Sequence, residues 1–580
     1  MATTNDMTER MRLAAMAATH AGRAAMKTVI GSAPLRWVAG PPAANQLVLI
    51  PQDLRTADPS LSAEMYDGYF GLAGAVAPIG SQSPFSVRPP SQPWLRELHA
   101  FTWLRHLHAA QDDVARERAR ALIRDWLALG ARAPDVTWET DIAARRLIAW
   151  LSHAGFVLER TDADFYDAYM SGLTRQMHTL SLSGRDEGQN VARLRAQIAL
   201  TLASLCVAEF EPHLSSYTPS LASELDRQIL PDGGHVSRNP GAIVDLLLDL
   251  LPLRQCFLSR QIDVPDALNE AIARMMPMTR FLRLGNGALA RFNGMAATRV
   301  DQVANILAYD DSFAPPENLT VKSGFARLAK GQAVVIADVG EPPPLSASEG
   351  ACAGCLAFEF SSGENEIVVN CGAPGDEESE WHIVSRATAA HSTLTINDAS
   401  SSRLIKRQLL QPPREIYLLS NPKTVRSEIS IGEEQVSLYC AHDGYRDRFG
   451  LLHQRILSMS NDGDRLSGTD QLVDPRGTAT SAASVDATFA IRFHLHPRVK
   501  VSLLQEERGA ALMLPSGERW QFTAKGAMLE IEESIFLADP IFRRRCLQIV
   551  LTGPCYPLPN VEWSFRKTMS APARARPFDE

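Results

Sequence analysis

A chain of 580 residues is too long for one hydrophobic core, so its length predicts two or three domains, each with a sizeable interior. Apolar residues make up 45% of the chain and charged residues 21%, which excludes a wholly disordered protein and a bundle of membrane-spanning helices. The formal net charge of −8 argues against a protein that binds nucleic acid through a broad phosphate-neutralising surface.

Residues 1–92 predict a loop-rich N-terminal lead-in, because proline, glycine and serine are frequent from residue 41 onward. Charged residues interrupt every apolar stretch near the N-terminus, so we expect no secretory signal there. No later window holds the roughly 18 uninterrupted apolar residues that a membrane span needs. Taken at face value, these features predict a cytoplasmic protein, or one exported by a route that the sequence does not reveal.

Residues 93–316 carry apolar side chains at helical spacing, first at Leu95, Leu98, Phe101, Leu104 and Leu107. The same spacing predicts further helices at about 163–182, 191–209, 218–230, 241–258 and 264–284. Helices of this length joined by short polar turns form antiparallel hairpins. We therefore predict an incomplete (α/α) toroid over residues 93–316, with a central cleft lined by inner helix ends and loops.

From residue 317 onward, apolar and polar residues alternate between turns rich in glycine, asparagine and aspartate, which predicts strands. In one such segment, Phe489, Ile491, Phe493 and Leu495 face one way, and Arg492, His494 and His496 face the other. Many antiparallel strands at this spacing predict a large β-sandwich over residues 317–580. The predicted fold class is therefore α+β multidomain, a helical toroid followed by an antiparallel β-sandwich.

A polar turn, "DGGHVSRNP" at residues 232–240, interrupts two apolar helices of the predicted toroid. Gly233 and Gly234 would end the first helix, while Asn239 would cap the second and Pro240 would begin it. Capping alone accounts for these residues but not for His235 and Arg238. The turn is therefore either purely structural or also part of a binding site.

Histidine-rich segments of the strand region form a second group of candidates. Residues 380–398 place His382, Arg386 and His391 just before a strand, where a histidine is more often structural than catalytic, although the cluster favours a functional role. Residues 441–455 add His442, Asp443, Tyr445, Arg446 and His453. His494 and His496 have the same-face spacing that suits a metal ion, or equally a hydrogen-bonded surface ladder.

Several common kinds of site have no support in the sequence. No glycine-rich phosphate loop follows a strand, and neither a GxSxG nor an HExxH motif occurs. The eight cysteines are scattered and show no disulfide framework. Nothing therefore favours a nucleotide-dependent enzyme, a serine hydrolase or a zinc protease.

The order of these segments resembles the heparinase II/III-like family of polysaccharide lyases. The resemblance covers nearly the whole chain and is carried by "QILPDGGHVSRNP" (228–240), "ARFNGM" (290–295), "SRATAAHSTLTIND" (385–398), "AHDGYRDRFGLLHQR" (441–455) and "RFHLHP" (492–497), together with residues 68–107. It implies β-elimination on uronic-acid-containing glycans such as glycosaminoglycans, and carbohydrate binding in the cell envelope or periplasm of bacteria. It also implies a structural divalent metal, zinc or calcium.

In β-elimination the enzyme neutralises the carboxylate next to C5, removes the C5 proton and protonates the departing O4. By the resemblance, His391 matches the histidine that the family supplies from its sandwich. Arg185 and Asp186 stand where the family has an asparagine and histidine pair. The family's tyrosine after the polar turn has no counterpart, since no tyrosine occurs from residue 219 to 308 and Ala242 lies near the expected position.

Three functions follow as alternatives: a lyase that cleaves an acidic polysaccharide or oligosaccharide, a degenerate member that binds a glycan without cleaving it, and a structural protein that keeps the fold. No nucleic acid is expected as a partner. For the lyase, the predicted residues are the catalytic His391 and His235, the substrate-binding Arg185, Asp186, Arg238, Asn239, Arg386 and Tyr445, and the metal ligands His442, His494 and His496.

Overall fold

A computed structural model of the protein describes most of the chain. The described residues are 43–183, 190–310, 316–375, 380–407, 416–419, 422–474, 486–504, 509–539 and 543–571. The chain folds into two compact units. The first, which we call the helical unit, comprises residues 1–228, 246–271 and 407–416; the second, the sandwich unit, comprises residues 229–245, 272–406 and 417–580.

Helices dominate the described residues up to residue 307. They are α1 (Ser60–Tyr66), α2 (Gln92–Ala100), α3 (Leu104–Ala110), α4 (Asp113–Leu129), α5 (Thr140–Leu158), α6 (Ala163–Ser183), α7 (Val191–Cys206), α8 (Leu214–Gln228), α9 (Pro240–Ser259), α10 (Asp266–Phe281) and α11 (Val300–Leu307). A short hairpin of β1 (Tyr69–Leu72) and β2 (Ala75–Pro78) precedes α2. The predicted lead-in therefore holds regular structure as well as loops.

Of the five apolar positions predicted for the first helices, four lie in the interior of the helical unit and Leu95 is half-buried. Leu98, Phe101, Leu104 and Leu107 are all fully buried. Helix α4 begins where the Asp112 side chain accepts a hydrogen bond from the Ala115 backbone N–H, as an N-cap does. A cluster of aromatic side chains then packs the helices together, with ring centroids 4.7–5.7 Å apart along Trp103, Phe101, Trp126, Trp150 and Tyr169.

Strands dominate the rest of the chain. They are β3 (Leu319–Thr320), β4 (Phe325–Lys330), β5 (Ala333–Asp338), β6 (Phe358–Ser362), β7 (Asn365–Val369), β8 (Leu394–Ile396), β9 (Leu404–Arg407), β10 (Ile416–Leu419), β11 (Val425–Ile431), β12 (Gln435–His442), β13 (Leu452–Ser460), β14 (Arg465–Val473), β15 (Thr488–Leu495), β16 (Lys500–Leu503), β17 (Gly509–Met513), β18 (Arg519–Lys525), β19 (Met528–Phe536), β20 (Arg544–Pro554) and β21 (Asn560–Met569). Two short helices, α12 (Glu380–Val384) and α13 (Arg446–Phe449), interrupt them.

Two large antiparallel sheets make up the sandwich unit. One has the strand order β11-β12-β13-β14-β21-β18-β17-β16, and the other has the order β19-β20-β15-β7-β6-β5-β4-β3 with β8 paired to β15. Inward-facing aromatic side chains join them: Phe358 of β6 stacks on Trp563 of β21 at 5.6 Å, and Phe493 of β15 contacts the same ring at 4.8 Å. The structure thus confirms the predicted fold class, helices followed by a large antiparallel sandwich.

The alternation predicted for β15 is confirmed on its apolar side, because Phe489, Ile491, Phe493 and Leu495 are buried. His494 is buried as well, although alternation placed it on the polar side. The ring of His494 is enclosed by Ala389, whose backbone oxygen lies 3.0 Å from Nε2, and by Ser534, whose hydroxyl lies 2.7 Å from Nδ1. Among the described residues, no helix combines the length and the apolar character that crossing a lipid bilayer requires.

Candidate functional site

The polar turn at residues 232–240 belongs to the sandwich unit. Gly233 has a φ of 88°, and a Cβ there would lie 2.0 Å from the backbone oxygen of Arg274. A Cβ on Gly234 would lie 2.4 Å from the Cβ of Ser323. Only glycine fits these two positions, because the chain approaches its neighbours too closely for a side chain.

Arg238 fastens this turn to the sandwich. Its side chain is buried, and its backbone φ of 59° is left-handed. The guanidinium donates to the Asp338 carboxylate at 2.5 Å and to four backbone oxygens, those of Ser323 (2.7 Å), Gly324 (2.8 Å), Glu341 (2.9 Å) and Gly340 (3.3 Å). These contacts satisfy the donors of the guanidinium within the protein, so Arg238 positions the turn.

His235 and Asn239 complete the turn. His235 is buried, its Nδ1 lies 2.7 Å from the Ser237 hydroxyl, and burial lowers its pKa to about 4. Its imidazole is therefore neutral at physiological pH. Asn239 accepts a hydrogen bond from the Gly241 backbone N–H at 2.8 Å, just before α9 begins at Pro240. This is the capping geometry that the sequence predicted for Asn239 and Pro240.

Asn293, within the "ARFNGM" segment, links the turn to a neighbouring loop. Its side-chain amide donates to the backbone oxygen of Arg238 at 3.3 Å and accepts from the backbone N–H of Cys352 at 3.3 Å. No role was predicted for Asn293 from the sequence. The signal available was the pair Asn293-Gly294, since both residues adopt positive φ here and such a pair is typical of tight turns.

Arg386 holds the other side of the same loop. This arginine is buried, and it donates to the backbone oxygens of Ala351 at 2.8 Å and Ser348 at 3.1 Å. Its own backbone oxygen accepts from the N–H of Ala353. Residues 350–355, which we call the central loop, are thus bonded to Asn293 on one side and to Arg386 on the other.

His391 lies against the central loop. A Cβ on Gly354 would lie 2.7 Å from Cδ2 of the imidazole, so the ring packs directly on the glycine backbone. Nδ1 donates to the backbone oxygen of Ala387 at 2.9 Å, and burial lowers the pKa of the ring below its usual value. The hydrogen bond fixes the proton on Nδ1 and leaves the lone pair on Nε2, the state that a general base requires.

The three histidines predicted as metal ligands are not brought together. Among the described residues, no group of three or more histidine, cysteine, aspartate or glutamate side chains is arranged to hold a metal ion. His494 uses both ring nitrogens on the protein, with Nδ1 2.7 Å from the Ser534 hydroxyl and Nε2 3.0 Å from the Ala389 oxygen. His496 packs against Phe536 with its ring.

His442 is instead part of a buried polar network. Its Nε2 lies 3.3 Å from Nδ1 of His453, and Nε2 of His453 lies 2.7 Å from Asp470. Asp470 also accepts from Arg455 at 2.8 Å and from Trp563 at 2.8 Å. Burial alone would raise the pKa of Asp470, but Arg455 and His453 hold it well below its usual range. Such a network stabilises the sandwich core rather than a bound ligand.

Tyr445 is also a structural residue in this arrangement. Its ring is fully buried, and its hydroxyl donates to the backbone oxygen of Leu394 at 2.6 Å. Burial raises the pKa of the phenol, so it keeps its proton. Arg185 and Asp186 lie outside the described residues. Of the predicted residues, Arg386 and His391 contact the central loop, and Arg238 is linked to it through Asn293. His235 and Asn239 lie in the same turn as Arg238.

Comparison with known proteins gives three kinds of similarity. A family model described as heparinase II/III-like, C-terminal, matches residues 314–564. FtsZ-localized protein C of Caulobacter vibrioides is 31% identical over 551 residues, which cover 93% of each chain. The crystal structure of heparinase III has a TM-score of 0.68 at 12% identity, covering 92% of this chain and 88% of that one. A heparan sulfate lyase mutant, HepC from Pedobacter heparinus, has a TM-score of 0.59 at 13% identity, covering 96% and 89%.

Proposed function

The chain belongs to the heparinase II/III-like family, and from this premise we propose that it localises with FtsZ as a member that no longer cleaves glycans. Its family and its structural neighbours are polysaccharide lyases. A fold does not determine a function, however, so the choice depends on the individual residues and on the relatives that share them.

One observation carries the proposal: the identity of 31% with FtsZ-localized protein C extends over 93% of both chains. The heparinase III structures share the fold at only 12–13% identity. The similarity to the FtsZ-localized relative thus spans both compact units, whereas the solved lyase structures share the fold and the family model matches residues 314–564.

The residues around the central loop support a non-cleaving role. Arg238 and Arg386 would have to offer a guanidinium to the substrate carboxylate, yet both donate to acceptors within the protein. Tyr445 donates its hydroxyl proton to a backbone oxygen. The described toroid helices from 219 to 308 hold no tyrosine that could protonate a leaving group, since the sequence has none there.

The localisation is tested by a fluorescent fusion of the full chain in a bacterium with an inducible FtsZ gene. We expect fluorescence at the FtsZ ring, and loss of that pattern when FtsZ is depleted. Purified chain should also sediment with GTP-induced FtsZ polymers. A diffuse fusion in cells with intact rings, together with no co-sedimentation, would contradict the proposal.

The second candidate is the lyase, and His391 favours it. Its neutral ring, with the proton fixed on Nδ1, is suited to removing the C5 proton of a uronate. The test is ultraviolet absorbance of unsaturated uronides after incubation with heparan sulfate, alginate, hyaluronan and bacterial exopolysaccharides. We expect no product. A product that His391→Ala abolishes, while His213→Ala in the helical unit leaves it unchanged, would establish the lyase instead.

A further inference from the structure

A second surface of the sandwich unit, away from the central loop, has the features of a binding site. It is a groove of about 490 Å³ on the sheet face formed by β16, β17 and β18, and it reaches Thr568 of β21. Ser502 and Ala511 line it with small side chains, which explains the depression in the sheet face. None of the described residues that line it is acidic.

Four exposed side chains form a row across this face. The strand registers pair Lys500 with Met513, Met513 with Arg519, and Arg519 with Met569, so the order is cation, methionine, cation, methionine. A register shift between Arg519 and Trp520 interrupts the pairing with β21, where Thr568 lines the groove and Met569 follows it in the chain. Met513 is 39% exposed and Met569 is 43% exposed. Methionine side chains adapt to varied partners and are frequent on peptide-binding surfaces.

The charges of the row are available to a partner. Within the described part of the chain, neither Lys500 nor Arg519 forms an ion pair, although the chain as a whole carries a net charge of −8. The neighbouring Lys567, by contrast, is paired with Asp464 and Glu518. A local cationic surface on an acidic protein attracts carboxylates and orients them on approach.

The spacing of the row selects the shape of the partner. Neighbouring strands lie about 4.8 Å apart, so Lys500, Met513 and Arg519 follow one another at that interval along a line perpendicular to the strands, and Met569 follows beyond the register shift. One turn of an α-helix advances about 5.4 Å. A helix lying across the strands would therefore present one side chain per turn to each member of the row.

We propose that this groove binds an amphipathic helix of a protein partner, on one face of which acidic and apolar side chains alternate once per turn. The carboxylates pair with Lys500 and Arg519, and the apolar side chains pack on Met513 and Met569. This surface is independent of the central loop, and the inference does not rest on the proposed localisation.

The test uses a fluorescein-labelled, alanine-based helical peptide with glutamate and leucine alternating once per turn along one face. We expect fluorescence anisotropy to show saturable binding that weakens as salt is raised. Lys500→Glu combined with Arg519→Glu should weaken binding by at least about tenfold. Met513→Ser combined with Met569→Ser should weaken it several-fold while the salt dependence remains.

Two controls make the result specific. A peptide of the same composition with glutamates and leucines scattered around the helix should bind at least about tenfold more weakly. Arg426→Glu combined with Arg465→Glu reverses two exposed charges on the same sheet outside the groove and should leave the dissociation constant within about twofold. Circular dichroism establishes that each variant is folded.

The proposal is overturned if the ordered and scattered peptides bind equally, or if the groove variants bind as the unchanged protein does. It is also overturned if only a heparan sulfate oligosaccharide binds in the groove, since the occupant would then be a glycan. Self-association that Lys500→Glu and Arg519→Glu abolish, with no peptide binding, would identify a second copy of the chain as the occupant.

Discussion

Replacing Arg238 by methionine should destabilise the sandwich unit strongly. The change removes a buried guanidinium that donates to Asp338 and to four backbone oxygens. Removing one partner of a buried ion pair costs about 3–5 kcal/mol, because the other charge stays buried without its partner. The lost hydrogen bonds to backbone oxygens act in the same direction, although their costs do not simply add.

At roughly 2 °C per kcal/mol for a unit of this size, the melting temperature of the sandwich should fall by roughly 6–10 °C. Differential scanning calorimetry measures the shift, and circular dichroism assigns the transition to strands or to helices. Replacing the exposed Arg426 by methionine is the matched control, which we expect to change stability by less than about 0.5 kcal/mol. Combining Arg238→Met with Asp338→Asn should cost less than the sum of the two single changes.

The reasoning is refuted if Arg238→Met melts as the unchanged protein does while binding of an acidic oligosaccharide weakens. That outcome would mean that the guanidinium serves a ligand and that its contacts within the sandwich contribute little. A loss of stability without any change in glycan binding agrees with the positioning role.

Three further predictions concern the buried histidines and the polar turn. Burial lowers the pKa of His235 to about 4, of His494 to about 3 and of His391 below its usual value, whereas all three take up protons near pH 6.5 when unfolded. The folded chain then binds fewer protons, so stability should fall as pH drops below about 6.5. At pH 5.5 the loss should be about 1.4 kcal/mol for each of His235 and His494, and His391 should act in the same direction; an unchanged urea midpoint from pH 7.5 to 5.5 would contradict this. Asn239→Ala should lower the free energy of unfolding by about 1 kcal/mol through loss of the α9 cap. Urea unfolding measures this change, and Asn461→Ala, at an exposed position, serves as the comparison. Gly233→Ala should cost at least about 2 kcal/mol, because the added Cβ would meet the Arg274 backbone oxygen at 2.0 Å; soluble protein with an unchanged melting temperature would show that the turn relaxes freely.

The periodicity of apolar residues was sufficient to predict the fold class. Leu98, Phe101, Leu104 and Leu107 recur at helical spacing and are buried, and Phe489, Ile491 and Phe493 alternate and are buried. Periodicity could not predict the burial of His494, because the groups that enclose its ring, Ala389 and Ser534, are far away in sequence. It could not place the polar turn either, since residues 229–245 lie between two helices in sequence and cluster with the sandwich in space.

Residue type was a weaker guide to the candidate site than to the fold. An arginine in a polar turn suggests a carboxylate ligand, yet Arg238 binds the Asp338 carboxylate and backbone oxygens of its own unit. Arg386 likewise binds backbone oxygens of that unit. Asn239 is the exception, because a capping role depends only on neighbouring residues and can be read from the sequence. Roles that depend on distant loops, as those of Arg238 and Asn293 do, require the structure.

The motifs that resemble those of the lyase family have structural roles in this chain, which has no tyrosine from residue 219 to 308. Gly233, Arg238, Asn293 and Arg386 each serve the geometry of the turn or of the central loop, and none of these roles requires a substrate. A chain would lose stability by changing them whether or not it cleaves a glycan. The motifs therefore account for the shape of the loops around His391, and these structural roles apply to a lyase and to a non-cleaving member alike. His391 has its proton fixed on Nδ1 and so can act as a base. Replacing it by alanine would therefore abolish the unsaturated product of a lyase, whereas a non-cleaving protein forms no such product before or after the change.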